Sequence, residues 1–204
     1  MRVVLSWSSG KDSAWTLYQL QQSEDVEIVG LLTTLNSEFN RVAMHAVREE
    51  LLDAQADAAG LKLFKVPLPW PCSNAEYERA IKSAFEELRL EHDVTHIAYG
   101  DLFLEDVRQY RINLMNELNL KPLFPIWGLP TRELAEKMIS SGLTAYLTCV
   151  DPKQLSESYA GHRFDNDFLS ALDDDIDPCG ENGEFHTYVC AGPMFKSTIP
   201  ITIG

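Results

Sequence analysis

A short stretch near the N-terminus has the residue types of a phosphate-binding turn. The apolar run 3–5 ends in a small, hydroxyl-rich segment, and a helical pattern follows it. The candidate residues of this segment are Ser8, Ser9, Gly10, Lys11, Asp12 and Ser13. Free N–H groups and the positive end of the helix dipole attract an anion, serine hydroxyls donate to phosphate oxygens, and a lysine neutralises growing negative charge. The segment is therefore a candidate cradle for phosphate groups.

This turn differs from a Walker A loop. That motif has glycine five residues before its Gly-Lys pair and serine or threonine directly after the lysine, whereas this chain has Leu5 and Asp12 there. Asp12 would repel phosphate, which favours either a bridging Mg²⁺ or a cap at the helix start. A plain strand-to-helix turn, with Asp12 and Ser13 capping the helix, is the alternative interpretation.

A second cluster of polar residues lies near the C-terminus. It comprises Gly180, Glu181, Asn182, Gly183, Glu184, Phe185, His186 and Thr187. Two carboxylates, an amide, an imidazole and a hydroxyl at this density are typical of a binding or catalytic site. The local sequence also predicts a hairpin turn with Asn182 and Gly183 as its type I′ pair. The two interpretations are compatible, because a tight turn can present its carboxylates to a ligand.

Weaker candidates lie in the middle of the chain. Gly100 and Asp101 follow a predicted strand, where Asp101 would contact a metal or a ribose, or would only cap the next helix. Arg108 and Arg111 share one helical face and could bind phosphate or substrate, although Glu105 could simply pair with Arg108.

His45 precedes or begins a helix, where it would either touch a nucleotide or remain an ordinary exposed histidine.

Strand and helix patterns alternate along the first two thirds of the chain. The predicted strands are 2–7, 26–33, 62–66, 95–100, 121–124 and 143–149, and the predicted helices are 12–22, 43–59, 74–91, 104–118 and 130–141. Such alternation predicts an α/β fold with a parallel sheet and helices on both of its faces. The strand ends of such a sheet are where ligands bind.

The pattern weakens after about residue 152. A short helix near 165–172 and an acidic run at 173–175 remain, and we expect the acidic run to be a solvated loop. This tail is too short to fold alone, so we expect it to fold over the strand ends and complete the site. We divide the chain into a larger domain that contains the candidate phosphate-binding turn, 1–128, and a small C-terminal substrate-binding subdomain, 129–204.

Composition narrows the classes of function. The 204 residues include 17 basic and 31 acidic side chains, a formal net charge of −14, which disfavours nonspecific binding to nucleic acid. The N-terminus has no leader pattern and no stretch is apolar enough to cross a bilayer, so we expect a cytoplasmic protein with no membrane partner. The four scattered cysteines form no C-x-x-C pair and indicate neither zinc nor a disulfide framework.

The two polar clusters together resemble the diphthine–ammonia ligase family, whose members are PP-loop ATP pyrophosphatases. They join an SGGKDS loop near the N-terminus to a GE-x-GE-[FY]-[EH]-[ST] block near the C-terminus. Residues 8–13 and 180–187 match both motifs in order, except that Ser9 replaces the first glycine of the loop. Residues 108–111 and 120–128 also resemble the family, so the likeness covers almost the whole chain.

The resemblance implies a Rossmann-like fold of the HUP type and a reaction that uses ATP and Mg²⁺. A substrate carboxylate attacks the α-phosphate, pyrophosphate leaves, and ammonia then displaces AMP to form an amide. By this resemblance Lys11, Glu184 and His186 are catalytic, Lys11 holding pyrophosphate while Glu184 or His186 accepts a proton. The ATP-binding residues are 8–13, Gly100 and Asp101, with Asp12 and Asp101 as metal ligands. The substrate-binding residues are Arg108, Arg111, Glu181, Asn182, Gly183, Glu184 and Thr187.

The acceptor and the reaction type stay open at this point. In eukaryotes and archaea the family's acceptor is diphthine on an elongation factor. The loop serine and the 100–108 region look more like a bacterial branch, where a small acid, for example a cobalamin-related one, would be amidated instead. A nucleotide hydrolase and a non-catalytic nucleotide-sensing module are the alternatives, and a homodimer is plausible. We also expect Lys11→Ala to leave the fold intact, because a lysine in an exposed loop contributes little to stability.

Overall fold

The computed structural model describes residues 1–36, 41–42 and 47–203. Its strands are β1 Arg2–Ser6, β2 Glu27–Asn36, β3 Arg41–Val42, β4 Lys62–Leu68, β5 His96–Ala98, β6 Lys121–Leu123, β7 Thr144–Val150 and β8 Phe185–Ala191. Its α-helices are α1 Lys11–Gln21, α2 Glu49–Ala59, α3 Asn74–His92, α4 Glu105–Glu117, α5 Thr131–Ser140 and α6 Asn166–Ala171.

Five parallel strands form the main sheet. They lie in the order β4-β2-β1-β5-β6, and the short β3 runs antiparallel to the end of β2. The α/β, Rossmann-like fold predicted from the alternation is therefore confirmed. After β1, the chain adds β2 and β4 on one side of β1 and then β5 and β6 on its other side. The strand order therefore reverses between β1 and β5. A crevice opens at the carboxyl ends of two such strands.

The sheet is covered on both faces. Successive side chains of a strand point to opposite faces, and in β1 Val3 and Leu5 join one apolar core whereas Val4 joins another. The first core contains residues of α1, α2 and α5 and continues into the C-terminal region. The second contains residues of α3 and α4. Burial on both sides explains why β1 is a continuous apolar run rather than an alternating one.

The C-terminal region has a sheet of its own. Strand β7 pairs antiparallel with β8, so the expectation that 143–149 belongs to the parallel sheet is wrong. Its periodicity predicted a strand but carried no information on its partner. The partner β8 lies about forty residues downstream, and the N–H of Val189 in β8 donates to the Ser9 carbonyl at 3.1 Å. The small sheet is thereby tied to the turn after β1.

Local sequence signals define the ends of two helices. Ser73 caps α3 in a reciprocal capping box with Glu76, and Gly60 ends α2 with a φ of 68°. Both arrangements satisfy backbone groups left free at a helix end. Helix α2 begins at Glu49, later than the predicted residue 43. The prediction for His45 lies outside the described residues.

In the described part of the chain, no helix is long and apolar enough to span a membrane. All four cysteines are free. The side chains of 173–175 are exposed, as expected for a solvated acidic loop.

Candidate functional site

The turn after β1 has an unusual backbone. Ser9 has a φ of 72°, a left-handed conformation that favours glycine. Its carbonyl accepts hydrogen bonds from Gln55 and Val189, while its Oγ is buried and has no hydrogen-bond partner. Gly10 is the N-cap of α1, so the capping position carries no side chain, and Asp12 and Ser13 lie inside the helix. Asp12 and Ser13 therefore do not cap α1 in the way that the plain-turn interpretation requires.

Two glycines allow close packing at this helix start. A Cβ on Gly100 would lie 2.9 Å from the backbone carbon of Asp12, and one on Gly10 would lie 3.3 Å from the Thr187 carbonyl oxygen. Side chains at these positions would push the β1–α1 turn away from the strands on either side. Gly100 therefore sets how closely the end of β5 approaches α1.

A cavity of about 330 Å³ opens at the carboxyl ends of β1 and β5. Its wall includes these predicted site residues: Ser8, Gly10, Lys11, Asp12, Ser13, Gly100, Asp101, Arg111, Glu181, Gly183, His186 and Thr187. The wall does not include Ser9, Arg108, Asn182 and Glu184. The fold thus brings the N-terminal turn and the C-terminal cluster, about 170 residues apart in sequence, to one cavity.

Lys11 is buried, with 2% of its surface exposed. Its Nζ donates to the Cys179 carbonyl oxygen and, at 2.8 Å, to Asp12 Oδ2. The rings of Phe164 and Phe185 lie 5.7 and 5.4 Å from it. The expectation of an exposed loop lysine is wrong, because the C-terminal region covers the turn. Burial lowers the pKa of Lys11, but Asp12, Cys179 and Asp177 together outweigh it, so the net shift is upward and the ammonium stays charged.

Asp12 has one oxygen available. Its Oδ2 accepts from Lys11, while its Oδ1 is buried and has no hydrogen-bond partner among the described residues. Burial raises the pKa of Asp12, and the Lys11 charge opposes this shift. An unpartnered carboxylate oxygen on a cavity wall fits a cation ligand, since an unsatisfied buried acceptor is otherwise costly.

Asp101 is held by Arg111. The guanidinium donates through Nε to Oδ2 at 2.5 Å and through Nη2 to Oδ1 at 3.0 Å, and it lies 4.3 Å from the centre of the Tyr99 ring. Such a bidentate pair fixes both side chains. Both Asp101 oxygens are thus engaged, so Asp101 offers no free oxygen comparable with Asp12 Oδ1.

Arg108 lies outside the cavity wall. Its guanidinium is 5.4 Å from the Phe124 ring centre and 4.7 Å from that of Trp127, and its Nη1 is 3.5 Å from Glu105. Its Nε is buried without a partner. These contacts match the structural alternative, in which Glu105 pairs with Arg108, more closely than a direct contact with substrate.

The turn at 180–184 is organised around Glu184. This side chain is 1% exposed, and its Oε1 accepts from the Asp177 N–H and from Asn182 Nδ2, both at 3.0 Å. Its Oε2 is buried without a partner. Asn182 lacks the positive φ that a type I′ turn requires, and β7 and β8 are separated by a long connection. The hairpin interpretation is therefore wrong.

Two residues of the 180–187 segment have different places in the site. Thr187 bonds to the N-terminal turn, and His186 lies on the cavity wall. Thr187 Oγ1 accepts from the Lys11 backbone N–H at 3.0 Å, which satisfies one free donor at the start of α1. His186 lies on the cavity wall, and burial together with the charge of Lys11 lowers its pKa. A lowered pKa keeps the imidazole neutral near pH 7, where it can accept a proton.

Glu181 reaches the cavity in an ordered position. Its Oε1 accepts from the Leu102 N–H at 2.8 Å, and its own N–H donates to Asp177 Oδ2 at 2.9 Å. Burial raises the pKa of Glu181 to about 7, and the nearby Asp12 and Asp101 act in the same direction. This carboxyl group is consequently poised to exchange a proton near neutral pH.

Other residues of the site were not anticipated from the sequence. Gln55 on α2 accepts from Trp7 Nε1 at 2.9 Å and donates to the carbonyls of Ser9 and Val189. A glutamine within an apolar helical stripe was a signal for this role. The cavity wall also includes three tyrosines, at 77, 99 and 110. Their spacing in sequence carried no sign that α3, β5 and α4 would bring them together.

The chain is therefore an α/β protein of Rossmann-like fold, with a cavity beside the β1–α1 turn at the point where the strand order reverses. Two family models match this chain. The diphthamide synthase N-terminal domain matches residues 1–122, and the diphthamide synthase C-terminal domain matches residues 130–203. The chain belongs to the diphthamide synthase family.

Curated relatives agree with this assignment. The chain is similar to the diphthine–ammonia ligases of Danio rerio, 28% identical, and Bos taurus, 27% identical; the matches cover 98% of this chain and 86% and 82% of those proteins. The Homo sapiens diphthine–ammonia ligase is 26% identical, with 98% of this chain and 82% of that protein covered.

Proposed function

We propose that this protein is an ATP-dependent ligase that adenylates a carboxylate and transfers ammonia to it, with release of AMP and pyrophosphate. The observation that carries this proposal is the convergence of the β1–α1 turn and the 180–187 segment on one cavity. The names of the relatives, diphthine–ammonia ligase, support the class of reaction.

The β1–α1 turn would hold the phosphates of ATP. Backbone N–H groups at the start of α1, the hydroxyls of Ser8 and Ser13, and the helix dipole all favour an anion there. Lys11 is charged and buried beside the turn, so it would stabilise negative charge on the departing pyrophosphate. Its bonds to Asp12 and Cys179 hold it at this place before ATP arrives.

Asp12 would bind Mg²⁺ through its unpartnered Oδ1. The ion would screen the phosphate oxygens when bound. We no longer include Asp101 as a ligand in this proposal, because Arg111 holds both of its oxygens. Asp101 and Arg111 instead form a fixed polar wall beside the turn, at the end of β5.

In the first step a carboxylate oxygen of the acceptor attacks the α-phosphorus as the bond to the β-phosphate oxygen breaks. In the second step ammonia attacks the acyl carbon and AMP leaves. Arg111, Glu181 and Gly183 line the cavity and would contact the acceptor or ammonia. Thr187 would act by positioning the Lys11 backbone.

We assign the proton acceptor differently from the hypothesis that was based on the sequence. His186 is on the cavity wall and neutral near pH 7, so it remains a candidate proton acceptor. Glu184 is absent from the wall and its Oε1 holds the turn together. We therefore propose a positioning role for Glu184, which keeps its neighbours Asn182 and Glu181 in place.

Diphthine on an elongation factor is the first acceptor to test, because diphthine appears in the names of the relatives. A small cellular carboxylic acid is the second. We place the reaction in the cytoplasm, and the dimer remains a proposal that sedimentation would test. With a net charge of −14 we expect no role for nucleic acid.

The test is product analysis with α-labelled ATP, Mg²⁺ and ammonium. Parallel reactions contain elongation factor carrying diphthine, a pool of small cellular acids, or no acceptor. AMP and pyrophosphate that require an acceptor, together with acceptor amide that requires ammonium, are the expected result. AMP without any acceptor would indicate a hydrolase. ADP as the product would contradict the α-phosphate assignment, and ATP binding without turnover would indicate a sensing module.

A further inference from the structure

We propose that Glu181 binds the ammonium ion and takes its proton, so that ammonia is released beside the acyl adenylate. This inference rests on the proposed ligase function and deepens it by assigning a site to the nitrogen substrate. The chemical class of the ligand is a small monovalent cation that can donate a proton.

One carboxylate oxygen of Glu181 is held by a hydrogen bond, and the other is available to a ligand. Glu181 Oε1 accepts from the Leu102 N–H at 2.8 Å, and the Glu181 N–H donates to Asp177 at 2.9 Å. No described residue donates to Glu181 Oε2, and this atom is not among the buried unpartnered ones. An ordered carboxylate with an accessible oxygen on a cavity wall is a suitable ligand for ammonium.

The charges around the cavity single out Glu181. Three carboxylates line its wall, and two of them have cation partners: Asp12 pairs with Lys11, and Asp101 pairs with Arg111. Glu181 forms no ion pair with any residue in the described ranges. It is thus the wall carboxylate whose charge remains for an external cation.

The groups that face Glu181 also suit a proton acceptor. Asp12 and Lys11 approach from α1, Asp101 from the end of β5, and Asp177 from its own segment. Burial and the two aspartates raise the pKa of Glu181 to about 7, while the hydrogen bond from the Leu102 N–H and the charge of Lys11 oppose them. A base with a pKa near the working pH is efficient in proton transfer.

The alternatives on the same segment are less suitable. Glu184 does not reach the wall, and its Oε1 already accepts two hydrogen bonds. His186 is on the wall, but the charge of Lys11 contributes to lowering its pKa. A neutral imidazole beside a lysine attracts a cation less than a carboxylate does.

The proposed step begins at the ammonium ion. An N–H bond of ammonium breaks and its proton moves to Glu181, which becomes a neutral carboxylic acid. The freed lone pair forms a C–N bond with the acyl carbon, and the C–O bond to AMP breaks with its electron pair on the phosphate oxygen. The extra proton on nitrogen leaves with the AMP phosphate, and the proton on Glu181 returns to solvent.

The test compares Glu181→Gln with wild type using two nucleophiles and diphthine-carrying elongation factor as acceptor. Glutamine keeps the acceptor for the Leu102 N–H but cannot take a proton. With ammonium near pH 7 we expect amide formation to fall by about 10²–10⁴-fold. Hydroxylamine is largely unprotonated at that pH and needs no base, so hydroxamate formation should stay near the wild-type rate. Raising the pH should partly restore the ammonium reaction. Glu157→Gln, at an exposed site, is the matched control.

The outcomes separate this inference from the proposed function. A wild-type protein that forms neither amide nor hydroxamate with any acceptor overturns the proposed function. Wild-type amide formation that Glu181→Gln leaves unchanged overturns only the role of Glu181. Equal loss with both nucleophiles also overturns it, since that result indicates a role in adenylation or folding.

A second measurement does not depend on turnover. In protein labelled with ¹³C at the glutamate carboxyls, one resonance should titrate near pH 7 and should be missing from Glu181→Gln. Added ammonium, compared with tetramethylammonium at equal ionic strength, should shift that resonance. Absence of the titration or of the ammonium-specific shift would overturn the assignment.

Discussion

Ser9 holds a conformation that L-residues adopt at a cost, and its hydroxyl is buried without a partner. Both features are unfavourable for stability. The family pattern has glycine at this place, which has no such penalty. The strain is held by bonds to the Ser9 carbonyl from Gln55 and Val189. The backbone of this turn is thus determined by its neighbours rather than by its own preference.

Ser9→Gly should therefore stabilise the protein by about 1 kcal/mol, because glycine accepts a positive φ and removes the unpartnered hydroxyl. Urea unfolding monitored by circular dichroism measures the change. Ser83→Gly, at an exposed position within the right-handed helix α3, should instead destabilise by about 0.5 kcal/mol. A destabilised Ser9→Gly would contradict the assignment of strain to this residue.

Lys11, which is buried, forms an ion pair with the half-buried Asp12. Removing one partner of such a pair is costly, because the other charge stays in a poorly solvated place. The stability of the turn and its chemistry therefore depend on the same lysine.

Lys11→Met should abolish pyrophosphate release and lower the free energy of unfolding by about 3 kcal/mol near pH 7. Without Lys11, the pKa of Asp12, already raised by burial, rises further. A carboxyl group with a raised folded-state pKa favours the folded state at low pH and loses that contribution as pH rises through it. The deficit should therefore shrink as the pH is lowered from about 7 towards the ordinary pKa range of a carboxyl group. Unfolding curves across this range test it, with the exposed Lys137→Met as control.

At the scale of elements, α2 connects the N-terminal turn to β8. Gln55 is fully buried and bonds with Trp7 before the turn, Ser9 within it and Val189 in β8. One side chain thereby satisfies three polar groups, two in the segment between β1 and α1 and one in β8. Buried polar groups of this kind are expensive when they lose their partners.

Gln55→Met should lower the free energy of unfolding by about 2–4 kcal/mol, because a side chain of similar size leaves those groups unpartnered. ATP affinity should fall as well, since the turn loses an anchor. Chemical denaturation and titration calorimetry measure the two effects. Gln22→Met, at an exposed position, should change stability by no more than about 0.5 kcal/mol. Unaltered ATP affinity in Gln55→Met would show that the turn does not depend on this anchor.

At the scale of the whole molecule, the site is assembled from both ends of an acidic chain. The net charge is −14, and three carboxylates line the same cavity. Negative charge accumulated in the cavity favours protonation of the carboxylate that has no cationic partner. Glu181 is that group in the described part of the wall, and its pKa is about 7.

Glu181→Gln should accordingly stabilise the protein at alkaline pH. The raised folded-state pKa means that wild-type Glu181 favours folding below the unfolded value near about 4.3 and loses this contribution as pH rises through about 7. The variant should unfold at a higher temperature than wild type above about pH 7, and the difference should shrink as the pH falls and vanish below about pH 4. Thermal melts in buffers of matched ionic strength measure it. Equal melting temperatures at both extremes would contradict the raised pKa.

Much of the fold was predictable because its signals are local. Neighbouring residues specify three of these features: the apolar run of β1, the N-cap of α3 and the end of α2 at Gly60. The motif residues of the N-terminal turn were likewise recognisable from type and order. The pairing of β7 was not, because periodicity describes a strand and not its partner.

The sequence by itself determined the alternating elements, the charged and polar residues of the two motifs, and the family to which the motifs belong. Only the tertiary structure decided which of these residues share the cavity. It buries Lys11, engages both oxygens of Asp101, withdraws Glu184 from the wall and gives Glu181 no cationic partner among the described residues. These outcomes depend on contacts between residues far apart in the chain, and burial and charge pairing are properties of those contacts.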